Sequence, residues 1–412
     1  MAKNLVVCLD GTNNEFGRTN TNVVRLYQIL ETGRGTQVSY YDPGVGTVGH
    51  PGAITRFAQK FTQTLGMAFG LGVTQNVMDA YAFLLSQYEE MDRIYLFGFS
   101  RGALEARALA GLLHRCGLLK PELVTLVPYP VRMFQTVGND EQAAEFKATF
   151  SRPVRTHFLG LWDTVTSFGN VWSPIFWPNT TNNPGVVSVR HAVALDERRA
   201  FFRQNRWAQG EGTVEQDVRE RWFAGVHCDV GGGYPAGESS LWKVSFAWMI
   251  AEAVGCGLQI DEGRRAQVMA TGGEAGVSCG QNWLSFLHDS MPGLGPVWYL
   301  AEFVPRRRYV GKDAAGKARY RWLWPVRHWF AAWLLGRGRM GRARAVGRAR
   351  KLKGGDRVHR SVLERFAADP GYRPDSLLHI GLTGEAVRRL LVGQEEYYEV
   401  PMISAIVDSP WG

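Results

Sequence analysis

The sequence predicts an α/β fold: a mostly parallel, doubly wound sheet with helices on both faces. Three observations carry that expectation. Short apolar runs alternate with helical stretches along most of the chain. Four of those runs end in polar, acidic or glycine-rich residues, at Asp10-Gly11-Thr12, Ser100, Asp163 and His227, and strand ends of this kind line the sites of open parallel sheets. The stretch Arg93 to Leu119, RIYLFGFSRGALEARALAGLLHRCGLL, reads as strand, sharp turn and helix without interruption.

Taken in order, Leu5 to Leu9 reads as a buried strand that runs into the turn-forming loop Asp10 to Asn14. Thr21 to Leu30 reads as a helix and Gln37 to Asp42 as the next strand. Residues 49–73, rich in Gly and Phe, show no clean period and are expected to form loop plus irregular helix. Thr74 to Met91 is a helix with Val77, Tyr81, Leu84, Leu85 and Tyr88 as its buried stripe. Ile94 to Phe99 is the next strand, followed by a helix with Leu104, Ala108, Leu112 and Leu113 on one face. Further on, Asp140 to Thr149 reads as helix, Val154 to Trp162 as strand and Phe168 to Pro184 as a long loop. Val187 to Phe202 is expected to be helical, Arg221 to Val226 a strand and Ser239 to Val254 a helix. No internal repeat is visible.

The turn Gly98-Phe99-Ser100-Arg101-Gly102 has the G-x-S-x-G spacing of a nucleophile elbow. A serine in so tight a turn projects its hydroxyl above the sheet, and flanking glycines let strand and helix approach without Cβ clashes. An ordinary βα turn is the alternative, so the reading depends on partners downstream. The order Ser100, Asp163, His227 is the order of α/β-hydrolases. In that reading Ser100 is the nucleophile, His227 takes its proton and Asp163 orients the imidazole. The backbone amides of Thr12 and Arg101 would form the oxyanion hole. Asp163 could instead cap a helix, and His227 could be a core histidine. His359, in Val358-His359-Arg360-Ser361, is the rival base, whereas His191 and His288 read as structural. Asp10 is expected to fix the oxyanion loop by local hydrogen bonds. No second ligand stands at diagnostic spacing from Asp10 or Asp229, so neither metal nor organic cofactor is expected.

At 412 residues the chain can build one large domain with additions, or two. The five cysteines are scattered, without metal-ligand spacing, and read as free thiols. Met1-Ala2-Lys3-Asn4 leads straight into the first strand, so no signal peptide is expected, and the protein should be cytoplasmic in the producing cell. No apolar run approaches the roughly 18 residues of a membrane span. Residues 306–357 carry 17 Lys+Arg against Asp313 and Asp356, so the chain's net charge of +9 belongs to that segment and the remainder is acidic. Within it, Trp322 to Leu335 interleaves Trp and Leu with Arg, a pattern that suits an interfacial helix on a phospholipid surface. A lid packed on the catalytic core is the alternative. Nucleic-acid binding is discounted because no nucleic-acid motif accompanies the basic run. The expected organisation is a catalytic domain over 1–305, a basic Trp/Arg-rich insert over 306–357 and a C-terminal segment over 358–412 that packs back.

Several motifs now stand in one order: Asp10-Gly11-Thr12, Tyr41-Asp42-Pro43-Gly44-Val45-Gly46-Thr47, Gly98 to Ala103, Trp162-Asp163-Thr164-Val165, Arg190-His191-Ala192 through Asp196-Glu197-Arg198-Arg199, and Val226-His227 through Gly233-Tyr234. Together they resemble a family of bacterial and fungal α/β-hydrolases that includes the phospholipase effectors of the type VI secretion system. The resemblance runs from Leu5 to Pro305, with weaker extensions at His288-Asp289-Ser290 and Val358 to Val362. It implies a Ser-Asp-His lipase, carried here by Ser100, Asp163 and His227, acting on ester bonds of membrane glycerophospholipids. It also implies a delivery protein, an immunity protein, and delivery to a target-cell periplasm or membrane. Many members have Ser where this chain has Cys228, a departure expected to be harmless. A soluble carboxylesterase of the same fold, or a non-catalytic scaffold binding lipid or protein, are the alternative readings.

Overall fold

The computed structural model describes residues 2–11, 19–32, 35–44, 67–136, 138–165, 177–199, 202, 204–208, 216–235, 238, 240–271, 279–289, 306–312, 318–323, 349–393 and 395–401. The first part of the chain supplies β1 (Asn4–Leu9), α1 (Asn22–Ile29), β2 (Gln37–Asp42), α2 (Met67–Gln87), β3 (Arg93–Phe99) and α3 (Arg101–Cys116). A short hairpin of β4 (Leu118–Leu119) and β5 (Ser151–Arg152) encloses α4 (Pro128–Gln135) and α5 (Asp140–Phe150). Then come β6 (Thr156–Trp162), β7 (Val186–Ala194), β8 (Asp217–Phe223), α6 (His227–Gly231), α7 (Trp242–Gly255) and α8 (Glu262–Ala270). A second hairpin, β9 (Arg306–Lys312) and β10 (Ala318–Leu323), precedes β11 (Arg357–His359), α9 (Arg360–Ala368), α10 (Asp375–His379), α11 (Gly384–Leu391) and β12 (Tyr397–Glu399).

Eight strands form one sheet in the order β12-β11-β8-β7-β6-β3-β1-β2, parallel throughout except for β12 at its edge. The fold is thus the α/β-hydrolase-like, mostly parallel sheet that the sequence predicts. Both faces are covered, and the strand residues sort between them with the period of two that a pleated strand imposes. Leu5, Val7 and Leu9 of β1 join Ile94 and Leu96 of β3 in one core with α2 and α3. Val6 and Cys8 join Tyr95, Phe97 and Phe99 in a second core with α1 and α7. A third core forms where α9, α10 and α11 pack on the far end of the sheet, around Trp222, Val358, Val362 and Phe366. Each fully buried aliphatic or aromatic side chain there contributes about 1.5–3 kcal/mol.

Three elements differ from the sequence expectation. Val187 to Phe202 is not a helix: its first part is β7, a central strand. Such a strand is buried on both faces and so loses the alternation that marks a strand, while the density of β-branched Val in VVSVRHAVA favours the extended backbone. The strand expected over Arg221 to Val226 lies earlier, as β8, and His227 opens α6 instead of ending a strand. Likewise Trp322 and Leu323 end β10, so the helix expected from Trp322 does not begin there. The remainder of that stretch, and residues 49–66 of the glycine- and Phe-rich stretch, lie outside the described residues, as does most of the loop from Phe168.

The sheet is bound to the elbow helix by close backbone approach. A Cβ on Gly98 would stand 2.4 Å from the Gly102 carbonyl oxygen, and one on Gly102 would stand 2.1 Å from the Leu9 carbonyl oxygen and 2.5 Å from that of Asp10. All three obstacles are backbone, so a side chain cannot be accommodated by rotamer change. Gly102→Ala is therefore expected to force β1 and α3 apart, lowering stability by about 1–3 kcal/mol or more. Urea unfolding checks this; a midpoint equal to that of the unsubstituted protein would contradict the packing described.

Candidate active site

The registers bring the functional strand ends level. Leu9 pairs with Gly98, Phe99 with Trp162, Trp162 with Ala192 and Ala194 with Phe223. The residues just beyond these pairs are Asp10, Ser100, Asp163 and the turn leading to His227. They come together at the carboxyl ends of the strands, around the place where the sheet order reverses between β1 and β3.

Ser100 sits in the elbow at φ 59° and ψ −118°, a region that a non-glycine residue adopts only when its surroundings hold it there. The restraints are visible. Its N–H donates to the Trp162 carbonyl at 3.0 Å, and α3 starts at the next residue, Arg101. The Arg101 amide is thus the first of the helix N-terminus, the end at which the helix dipole favours developing negative charge. Thr12, the other expected oxyanion donor, lies outside the described residues. Its neighbours are well fixed: Asp10 accepts from the Gly11 amide at 2.6 Å, the Thr21 hydroxyl at 2.6 Å and the Tyr41 hydroxyl at 3.1 Å. Asp10 therefore ties Gly11 to the start of α1 and the end of β2, while the rest of the loop it was expected to fix lies outside the described residues.

His227 and Asp163 are brought into direct contact. The His227 Nδ1–H donates to Asp163 Oδ2 at 2.6 Å, with both side chains buried. An ionised carboxylate only accepts, so this bond places the proton on Nδ1 and leaves Nε2 as the acceptor. The ring is held on two sides. Phe99, the residue before Ser100, stacks on it at 4.6 Å between centroids, and Phe202 meets it edge-on at 4.8 Å. Phe99 is in turn pressed by Gly231, where a Cβ would lie 1.9 Å from its ring. This explains the glycine at the end of α6.

Asp163 is fully buried at φ 37° and accepts from several donors besides His227. The Ala194 amide donates to Oδ1 at 3.0 Å. The Arg350 guanidinium donates from Nη1 to Oδ1 at 2.5 Å and from Nη2 to Oδ2 at 3.1 Å. Burial by itself would raise the Asp163 carboxyl, but Arg350 and the bond from His227 outweigh it and hold the group well below the usual carboxylate range. His227 moves down from its ordinary value because burial disfavours the imidazolium, an effect that Asp163 offsets only in part.

The neighbouring charged residues support this arrangement. Glu197 accepts from the His227 amide at 3.2 Å and is paired with Arg199. His191, in the middle of β7, donates to Glu220 at 2.7 Å and accepts from the Thr164 amide at 3.3 Å, bracing the turn that carries Asp163. His288 bonds Asp229 Oδ1 at 2.7 Å, and Asp229 also accepts from the Val226 amide at 3.1 Å, which fixes the start of α6. His359, the rival base, does not bond Asp163. It caps α9 by accepting from the Ser361 amide, its ring stacks on Phe223, and burial lowers it to about 4. Burial pushes the Cys228 thiol up to about 12, so it is an unreactive neighbour. Among the described residues no group of three or more His, Cys, Asp or Glu is placed to hold a metal ion. Sequence reasoning missed Arg350: among 17 basic residues of one segment, nothing marks it except a buried partner that only the fold reveals.

Comparison with known proteins gives a family match. A model of the "T6SS, Phospholipase effector Tle1-like, catalytic domain" matches residues 3–252. A curated relative, the uncharacterized protein YEL023C of Saccharomyces cerevisiae, is 40% identical over 221 residues, covering 49% of this chain and 32% of its own; the chain thus spans about a third of that relative. An uncharacterized protein from Pseudomonas aeruginosa aligns in structure with a TM-score of 0.37 and 22% identity, over 64% of this chain and 47% of its own. The Tle1 effector bound to the VgrG spike of the type 6 secretion system aligns with a TM-score of 0.34 and 17% identity, over 58% of this chain and 52% of its own.

The two histidines beside carboxylates are expected to titrate in opposite directions. His227 should protonate below the ordinary histidine value. His288 should protonate above it: burial opposes the charge, but the Asp229 and Glu238 carboxylates win. Histidine ring NMR across pH 4 to 9, roughly the range over which imidazoles respond, checks the order. His227 titrating above His288 would contradict the geometry.

Proposed function

The chain belongs to the Tle1-like phospholipase effectors of the type VI secretion system, and on that footing we propose that it is a serine hydrolase cleaving ester bonds of membrane glycerophospholipids. The observation that carries the proposal is the buried His227–Asp163 hydrogen bond beside a serine in a strained elbow. In this reading Ser100 Oγ attacks the ester carbonyl while Nε2 of His227 takes its proton. Asp163 keeps the imidazole in the required tautomer and stabilises its charged form. The developing oxyanion is held by the Arg101 amide at the start of α3, and by that of Thr12. The acyl-enzyme forms as the alcohol leaves with the proton from His227, and water then repeats the sequence to release the fatty acid.

The lipid substrate rests on the family; the triad geometry would serve any carboxylic ester. Delivery by a secretion spike component, neutralisation by an immunity protein and action at a target-cell membrane belong to the same proposal and rest on the family's effector role. Among the described residues no helix is long and apolar enough to cross a membrane.

Ser100→Ala is expected to reduce release of fatty acid from phospholipid vesicles by about 10³-fold or more, with unfolding unchanged. Mass spectrometry of the lipids checks this and reads the acyl position. Retained hydrolysis in the variant would exclude Ser100 as nucleophile, while hydrolysis of soluble monomeric esters without gain on vesicles would favour a carboxylesterase. Turnover requires neutral His227, whose protonation is displaced downward. The acidic limb of kcat/KM should therefore fall below the ordinary histidine value of about 6.5. An acidic limb above it would place the essential base elsewhere.

A further inference from the structure

We propose that Arg350 is a positioning residue for the catalytic acid and base, holding Asp163 and the wall of the His227 ring with one guanidinium. The proposal rests on the serine-hydrolase reading above. Arg350 lies outside residues 3–252, the segment that matches the family's catalytic domain.

The guanidinium has four acceptors and almost no solvent, its side chain being 3% exposed. Nη1 donates to Asp163 Oδ1 and, at 2.6 Å, to the Ala194 carbonyl. Nη2 donates to Asp163 Oδ2 at 3.1 Å and to the Phe202 carbonyl. Each target bears on the imidazole. Asp163 takes the His227 Nδ1 proton, and Ala194 donates its own amide to Asp163 Oδ1. Phe202 presents its ring edge to the imidazole. The planar fork thus fixes the direction of the carboxylate and the position of the aromatic wall together, which a single ammonium cannot do. The arginine is itself anchored, since its carbonyl accepts from the hydroxyl of Ser376, in α10, at 2.6 Å.

The arrangement also has an electrostatic consequence. A carboxylate paired to a guanidinium attracts the imidazolium less than a free one does. Among the described residues, the charged groups around His227 are Asp163 beyond β6, Glu197 and Arg199 beyond β7, and Arg350. Removing Arg350 leaves the Asp163 charge uncompensated beside the ring, so His227 should protonate more readily.

The test is Arg350→Met, with kcat and KM on phospholipid vesicles, corrected for folded fraction, and the pH dependence of kcat/KM. The expected result is a kcat lowered roughly 10- to 100-fold with KM little changed, because the base is misplaced while lipid contacts remain. The acidic limb should also move to higher pH. If kcat per folded molecule and the acidic limb both stay at wild-type values while only stability falls, Arg350 is a structural residue and the proposal fails. If Arg350→Met does not fold, Arg350→Lys decides. It retains the charge, so the limb should stay in place, while loss of the fork lowers kcat; wild-type kcat in this variant overturns the proposal. The ring NMR titration of His227 in the same variants needs no turnover. An upward shift in Arg350→Met in a protein that cleaves no ester would reject the hydrolase reading yet keep the assignment of Arg350 as the group that governs the ring.

Discussion

One buried carboxylate holds the site together. Asp163 has no contact with water, and an ionised carboxyl in such a place is costly by several kcal/mol unless its lone pairs are filled. Here they are filled from four directions: the Ala194 amide, both arms of Arg350 and the imidazole of His227. The three donor residues belong to different parts of the chain, so the end of β6, the end of β7, the start of α6 and the approach to β11 must all be in place together. The left-handed backbone at Asp163 and at Ser100 is tolerated because these bonds and the strand registers over-determine it.

Much of this arrangement was legible from sequence, for a physical reason. In a parallel sheet chemistry collects at strand ends, and Asp10, Ser100 and Asp163 each follow an apolar run that reads as a strand by itself. The glycines around Ser100 were legible because only a residue without Cβ fits where Gly102 meets the Leu9 and Asp10 carbonyls and Gly98 meets the Gly102 carbonyl. His227 was read beside Asp163 from motif order, and the two do touch, although it opens a helix that the sequence did not announce. β7 was misread because a strand covered on both faces has no polar beat to separate it from a buried helix. Arg350 was not legible at all. A lone arginine in a basic run reads as a solvated side chain, and its burial is a property of tertiary contacts spanning 187 residues.

Family membership and the geometry cover different ground. The matched catalytic segment ends at residue 252, yet the third core, β11 and β12 extend the same sheet well beyond it. The C-terminal helices are not an appendage in packing terms, because Trp222 and Val193 of the central strands share their core with Val358, Val362 and Phe366. The polar contacts agree: Tyr372 bonds Asp196, in the loop that also carries Glu197, and Asp356 pairs with Arg206.

The distance in sequence between Asp163 and Arg350 also governs when the site can exist. A chain emerging from the ribosome exposes β1 to β8 long before residue 350 leaves the exit tunnel, and domains tend to consolidate from the N-terminus. During that interval Asp163 lacks its guanidinium, and closing so long a loop is among the slower steps available to the chain. The sheet can therefore be largely assembled while the constellation at its strand ends is still open, which makes the emergence of residue 350 a condition for maturing the site.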